Sequence, residues 1–356
     1  MKRSSEPRRT SAVSIQHGDE ALAARLRTLL GGRHPVAAAA TISPGERRVA
    51  GLGADAGADF EIGSVSKGVT GLLYAEALAR GEIDRTATLG DLLPLGRCPA
   101  ARVTLASLSV HRSGLPILPR SAGLVRRSVA LWRHGANPYG DSLDQLIVQA
   151  RSVTVGKPRP RYSNLGFELL GHAIAAAAGV SYRELVRARI ADPLGLDVFY
   201  APAIPAELRP GALTGVSRFG RERQPWTGEA VGPAGGIRAS IEAMARLIAA
   251  LLDGSAPGLS ALDPTTRFAG VAGRAVDIGA GWITLEHEGR KITWHNGGTG
   301  GFRSWLGLDR AAGAGVVIVT ATAMAVDGPG FTLLTETAGR NASRAAAELT
   351  AETDRR

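Results

Sequence analysis

Apolar positions along the chain fall into three zones with different periods. In residues 19–30, DEALAARLRTLL, they recur every three to four positions, which predicts an amphipathic helix closed by Gly31-Gly32. Residues 36–42 and 47–52 then read as short strands joined by Ser43-Pro44-Gly45. A second helix is predicted over 64–80, with Val65, Val69, Leu72 and Leu73 on one face and Gly81 as its stop. From about 86 to 274 helical patterns alternate with Pro/Gly loops, and no run of alternating strands stands out. Beyond 280 the period changes again. Residues 281–287, 291–297, 302–309 and 315–322 read as four successive strands, the first pair turning at Glu288-Gly289, and a final helix over about 331–350 would cover them.

Strands at both chain ends with helices between them predict an α/β (α+β) fold. It would hold an antiparallel sheet flanked by helices, built from both chain ends, with an all-helical domain inserted. The expected boundaries are a disordered basic tail at 1–18, a sheet domain at 19–85 plus 275–350, a helical domain at 86–274, and a tail at 351–356.

Composition narrows the function classes. With 44% apolar and 21% charged residues among 356, the chain can bury a core, which excludes disorder, collagen and coiled coil. No apolar run reaches the roughly 18 residues of a membrane span. The basic N-terminus lacks an apolar signal region, so a cytoplasmic location is expected. Cys98 has no second cysteine to pair with, and no Cys/His cluster has metal spacing. The net charge of +10 (42 basic, 32 acidic) comes with scattered arginines, 5% aromatics and no nucleic-acid motif. We therefore expect no nucleic-acid partner and no metal or cofactor.

Only four lysines occur, and one of them, Lys67, lies inside a strongly apolar helix. Ser64-Val-Ser-Lys67 sets a hydroxyl and an amine at i and i+3 on one helix face, the only S-x-x-K match in the chain. A serine is a poor nucleophile until a base takes its proton, and a buried lysine can be that base. A helix start also offers free N–H groups where an oxyanion would form. Tyr162-Ser163-Asn164 is the only Y-x-N match; its phenol suits proton transfer, and its amide offers both a donor and an acceptor. His295-Asn296-Gly297, followed by Gly298-Thr299-Gly300-Gly301, ends a predicted strand and leaves an edge beside which a substrate can lie.

S-x-x-K followed by two later motifs is the pattern of β-lactamases and penicillin-binding proteins. With its tyrosine motif and a histidine in the third, the chain resembles the class C β-lactamase-like serine hydrolases. Further similar stretches are Thr104-Leu105, His111-Arg-Ser-Gly-Leu-Pro116, Pro233-Ala-Gly-Gly236 and the HNGGTGGFRS run at 295–304. The resemblance implies Ser64 as the acylated nucleophile, with Lys67 and Tyr162 sharing the proton transfers. It implies an oxyanion hole from the backbone N–H groups of Ser64 and Gly298. Asn164, His295, Asn296, Gly297 and Thr299 would then contact substrate. Two positions depart from the pattern: Asn296 stands where a hydroxyl residue is common, and Gly68 follows the lysine where a larger residue is usual.

The expected activity is acyl-enzyme hydrolysis of a small-molecule ester, amide or lactam, with an esterase favoured. An acyltransferase using an amine or alcohol acceptor, and an acylated sensor with little turnover, are the alternatives.

Overall fold

The computed structural model describes residues 16–118, 123–271 and 274–353. The first predicted helix is α1 (Glu20–Leu30): the Asp19 carboxylate accepts the Leu22 N–H at 2.7 Å, and Gly31 ends the helix in the left-handed region. Nine strands form one antiparallel sheet. The N-terminal part supplies β1 (Gln16–Gly18), β2 (Ala37–Ser43) and β3 (Glu46–Leu52). The C-terminal part supplies β7 (Thr266–Val271), β8 (Arg274–Ile278), β9 (Ile283–His287), β10 (Arg290–Gly298), β11 (Arg303–Asp309) and β12 (Ala314–Thr320). Their order is β1-β3-β2-β12-β11-β10-β9-β8-β7, so the two chain ends meet where β2 pairs β12, from Ala37↔Thr320 to Ile42↔Gly315.

Those two central strands are apolar at nearly every position because both of their faces are covered. Ala37, Ala39, Val316 and Ile318 pack with α1 and with the C-terminal helix, Asp327–Thr353. Ala38, Ala40, Val317 and Val319 join the larger core, shared with the Ile241–Asp253 helix and the helical region. That region also contributes two strands to a second, three-stranded sheet, β5 (Phe199–Tyr200) and β6 (Arg238–Ala239), with β6 pairing β4 (Phe60–Glu61) from the N-terminal part.

Three boundaries differ from expectation. Residues 16–18, assigned to the tail, form β1, with Gln16 opposite Leu52; residues 1–15 lie outside the described residues. Thr266–Val271, assigned to the helical domain, is an edge strand paired with β8. Its polar outward side, where Arg267 meets Asp277 at 3.2 Å, and its bulge weaken the apolar alternation that would mark it. The final helix begins at Asp327 and runs to Thr353, into the expected tail.

Helix α2 (Ser66–Ala79) follows a single 3-10 turn, Gly63–Val65, and is buried on nearly every side. Two of its glycines let it lie against the backbone of 280–282. A Cβ on Gly68 would stand 2.7 Å from the Trp282 ring, whose indole N–H donates to the Gly68 carbonyl at 3.1 Å. A Cβ on Gly71 would stand 1.7 Å from the Ala280 carbonyl oxygen.

Alanine normally favours a helix over glycine by roughly 1 kcal/mol. At Gly71 the clash should reverse that, and Gly71→Ala should cost on the order of 3 kcal/mol. At Gly339, whose Cβ would meet nothing within 4 Å, the same change should be neutral or stabilising. Thermal melts of the two variants test this; equal melting temperatures would refute the close approach.

Candidate active site

Ser64 occupies the 3-10 turn and Lys67 the first turn of α2, which brings the lysine Nζ to 3.2 Å from the serine Oγ. The lysine is wholly buried, and its amine also donates a short hydrogen bond to the Ala234 carbonyl in the helical turn Gly232–Gly235. Among the described residues no carboxylate makes an ion pair with it. Desolvation therefore pulls the amine down to about 7, with the more distant Glu168 charge working weakly the other way. An amine poised there can accept a hydroxyl proton near neutral pH. Ala234 came only with a motif block, and no residue-type signal marks a backbone acceptor.

The Tyr162 ring lies against this amine, 4.8 Å from Nζ to centroid. Ser163 fixes the placement: its Oγ accepts the Gly166 N–H at 2.9 Å and donates to the Pro116 carbonyl at 2.6 Å, capping the Asn164–Ala177 helix. Tyr162 thus stands just before the helix and Asn164 opens it. Burial raises the Tyr162 phenol, and a hydrogen bond from Ser64 offsets part of the shift.

His111 supports the tyrosine from behind. Its ring is 4.6 Å from Tyr162 and 4.7 Å from Phe167, its Nδ1 accepts the Ser163 N–H at 3.2 Å, and its carbonyl accepts the Arg161 N–H at 2.9 Å. It holds φ +55, a conformation costly for a non-glycine residue and one that its buried contacts enforce. Asn164 donates to the Tyr139 hydroxyl at 3.2 Å, while its Oδ1 is buried without a partner among the described residues. Tyr139 in turn packs on Trp226, with centroids 4.6 Å apart. Neither aromatic falls in a motif.

Strand β10 sends alternate residues of the third motif to opposite faces. His295 points inward, 98% buried, with its ring 6.5 Å from Tyr162. Burial, with the Lys67 charge adding to it, drives the imidazole down to about 3, so it is neutral at working pH. Its Nδ1 lies 2.6 Å from the Asn296 carbonyl, which can only accept; the proton sits on Nδ1 and Nε2 is an acceptor. A histidine held this way gives the site no positive charge. Asn296 faces the other way and donates to Asp327 at 2.7 Å, at the start of the C-terminal helix.

The glycines of this motif keep negative or extended φ; close approach is what requires them. A Cβ on Gly297 would lie 2.0 Å from the Ile62 carbonyl oxygen, and Ser304 ties the same carbonyl at 2.7 Å. Gly63 is the counterpart in the turn that carries Ser64, with φ +52 and a hypothetical Cβ only 2.6 Å from the Gly298 nitrogen. The turn that carries Ser64 thus abuts Gly298 backbone to backbone.

Thr299 departs from its expected contact with substrate. It is 95% buried, its hydroxyl accepts the Phe302 N–H at 3.2 Å and binds Glu61, and it closes the β10–β11 turn. Behind that turn the fully buried Arg238 bonds Asp59 at 2.7 Å and Glu61 at 3.0 Å and lies over the Phe302 ring. No motif pointed to this support. Among the described residues no group of three His, Cys, Asp or Glu is placed to hold a metal ion. No single described helix is long and apolar enough to cross a membrane.

A family model described as Beta-lactamase matches residues 22–330. The chain is 28% identical over 278 residues to the D-alanyl-D-alanine-carboxypeptidase/endopeptidase AmpH of Escherichia coli (strain K12), covering 72% of this chain and 69% of that one. Its fold is shared with a class C beta lactamase from Rhodobacter sphaeroides (TM-score 0.71, 20% identity, 91% and 98% covered). It is shared as well with a Beta-Lactamase/D-Alanine Carboxypeptidase from Pseudomonas syringae (TM-score 0.73, 17% identity, 90% and 99% covered).

The buried amine carries a pH signature. Its pKa falls from 10.5 to about 7 on folding, so between those values the unfolded chain binds the extra proton and this group makes stability rise with pH. Below about 7 the buried ammonium is a constant penalty. Lys67→Met should therefore raise the melting temperature by several degrees at pH 6 and by much less at pH 10. Melting curves at the two pH values check it, and a variant less stable at pH 6 would contradict the desolvation.

Proposed function

Because the chain belongs to the beta-lactamase family, whose members are serine hydrolases, we propose that it hydrolyses a small ester or amide through a Ser64 acyl-enzyme. The observation that carries this reading is the Lys67 amine, wholly buried, poised near 7 and 3.2 Å from the serine oxygen. Lys67 takes the hydroxyl proton as Ser64 Oγ bonds the carbonyl carbon. The negative oxygen then sits between the N–H groups of Ser64 and Gly298, worth about 3 kcal/mol per donor in comparable sites. Tyr162, in contact with both Ser64 and the lysine, passes the proton on to the leaving group. Water enters by the reverse of these steps and frees the acid. Asn164 and the Tyr139–Trp226 pair flank the acyl side.

Two features support an ester before a β-lactam. The neutral His295 supplies no cation for a substrate carboxylate. Asn296 stands where a hydroxyl could bind such a carboxylate, and its amide is already given to Asp327 on the far face of β10.

Intact-protein mass spectrometry with a fluorophosphonate, together with turnover assays, tests the reading. The wild type should gain one adduct and Ser64→Ala none, with the fold unchanged. Short-chain p-nitrophenyl esters should turn over faster than a chromogenic cephalosporin. Stoichiometric labelling of Ser64→Ala would remove the nucleophile, and the opposite substrate order would remove the ester preference.

A further inference from the structure

Two aromatic side chains outside every motif join the two sides of the site. The Tyr139 hydroxyl accepts the Asn164 amide at 3.2 Å, on the side of the Asn164–Ala177 helix. Its ring lies against Trp226, with centroids 4.6 Å apart and planes at 53°. Trp226 in turn reaches the turn between β10 and β11. A Cβ on Gly300, just past Gly298, would stand 3.3 Å from Trp226 Nε1 and 3.3 Å from Leu131 Cδ1. The pair thus spans from the helix side to the strand side and forms an end wall, with Leu131 beside it.

The backbone holds this wall in place. The Trp226 N–H donates to Glu61 at 2.9 Å, on the strand that leads to Ser64. The segments carrying the two aromatics are laced together. Gln224 N–H donates to the Gly135 carbonyl at 2.8 Å, the Asn137 amide to the Thr227 carbonyl at 2.6 Å, and Ala230 N–H to the Asp141 carbonyl at 3.1 Å. The Arg223 guanidinium donates to the Leu131 carbonyl at 2.9 Å, and a Cβ on Gly228 would lie 2.0 Å from the Tyr139 carbonyl oxygen. The Trp226 indole N–H, by contrast, has no partner among the described residues, so the fold uses this side chain as an apolar surface. Leu131, Tyr139 and Trp226 are only half-buried, which leaves part of that apolar surface uncovered.

We propose that Trp226, backed by Tyr139 and Leu131, determines specificity for the acid half of the substrate and selects a flat aromatic acyl group over a linear alkyl chain. This rests on the hydrolase reading above, which sets the acyl side at Asn164. A rigid wall stops a straight chain that would run past it. An aromatic ring instead lies against a ring face or edge, and it loses little conformational freedom in doing so. The choice bears on the acid half alone, because the alcohol half leaves on the other side of the carbonyl carbon.

The test is kcat/KM for p-nitrophenyl phenylacetate and p-nitrophenyl octanoate in wild type, Trp226→Ala and Trp226→Phe. The wild type should favour phenylacetate by about tenfold. Trp226→Ala should lower that ratio about tenfold, and Trp226→Phe should restore most of it. The backbone bond to Glu61 survives either change. Trp226→Leu, apolar but not flat, makes the same prediction should the alanine variant fail to fold. In Trp226→Ala the ratio of 1-naphthyl acetate to p-nitrophenyl acetate, which share the acyl group, should stay within about twofold of the wild-type ratio. A wild type that prefers octanoate overturns the proposal. So does a variant that slows both acyl groups by one factor, or one that moves only the leaving-group ratio. A wild type with no ester turnover and no label at Ser64 would sink the hydrolase reading and this one together; normal labelling with an unmoved acyl ratio in the variant sinks only this one.

Discussion

An amine taken out of water is the constraint on which this site depends, and much of the surrounding packing keeps it there. Lys67 is wholly buried with a backbone carbonyl, a serine hydroxyl and two aromatic rings for company. Water is kept from it by the closeness of α2 to its neighbours. Gly68 and Gly71 bring the helix onto Trp282 and Ala280, and a Cβ on Gly281 would strike the Lys67 carbonyl itself at 2.3 Å. On the other side Thr70 binds the Pro233 carbonyl at 2.7 Å, which seats the turn that offers Ala234 to the amine. The lowered proton affinity that makes the lysine a usable base is thus a consequence of packing, with no positive neighbour needed.

A second constraint depends on the first. In the proposed acylation the carbonyl target of Ser64 lies between the N–H groups of Ser64 and Gly298, which belong to opposite parts of the chain. The 62–64 segment and β10 meet backbone to backbone through Gly63, Gly297 and the Ser304–Ile62 bond. Arg238, bonded to Asp59 and Glu61, holds both the strand entering the nucleophile turn and the Phe302 ring at the β10–β11 turn. The central pairing of β2 with β12 is what carries the two chain ends to one place.

Much of this was legible in residue order. The alternation at 281–322, the three-to-four-residue apolar spacing at 19–30 with its stop at Gly31, and the single S-x-x-K and Y-x-N matches mark the sheet, the helices and the residues gathered around Lys67, because each reflects a local rule of period or chemistry. Features that depend on tertiary approach left no such mark. Gly68 read as a departure until Trp282 was seen against it. Thr299 read as a substrate contact, but its hydroxyl serves the turn. The edge strand at 266–271 carries no clear apolar alternation, with Arg267 exposed and a bulge after Phe268. His111, Tyr139, Ala234 and Arg238 act through partners dozens to hundreds of residues away, which no spacing rule reports.

The lysine content makes the central claim directly measurable. With only four lysines, selective ¹⁵N labelling gives at most four side-chain resonances, and the one that disappears in Lys67→Met is the Lys67 amine. Followed through a pH titration of the wild-type protein, that resonance should change protonation state with a midpoint near 7. A midpoint near the ordinary lysine value of roughly 10.4 would contradict a buried, desolvated base.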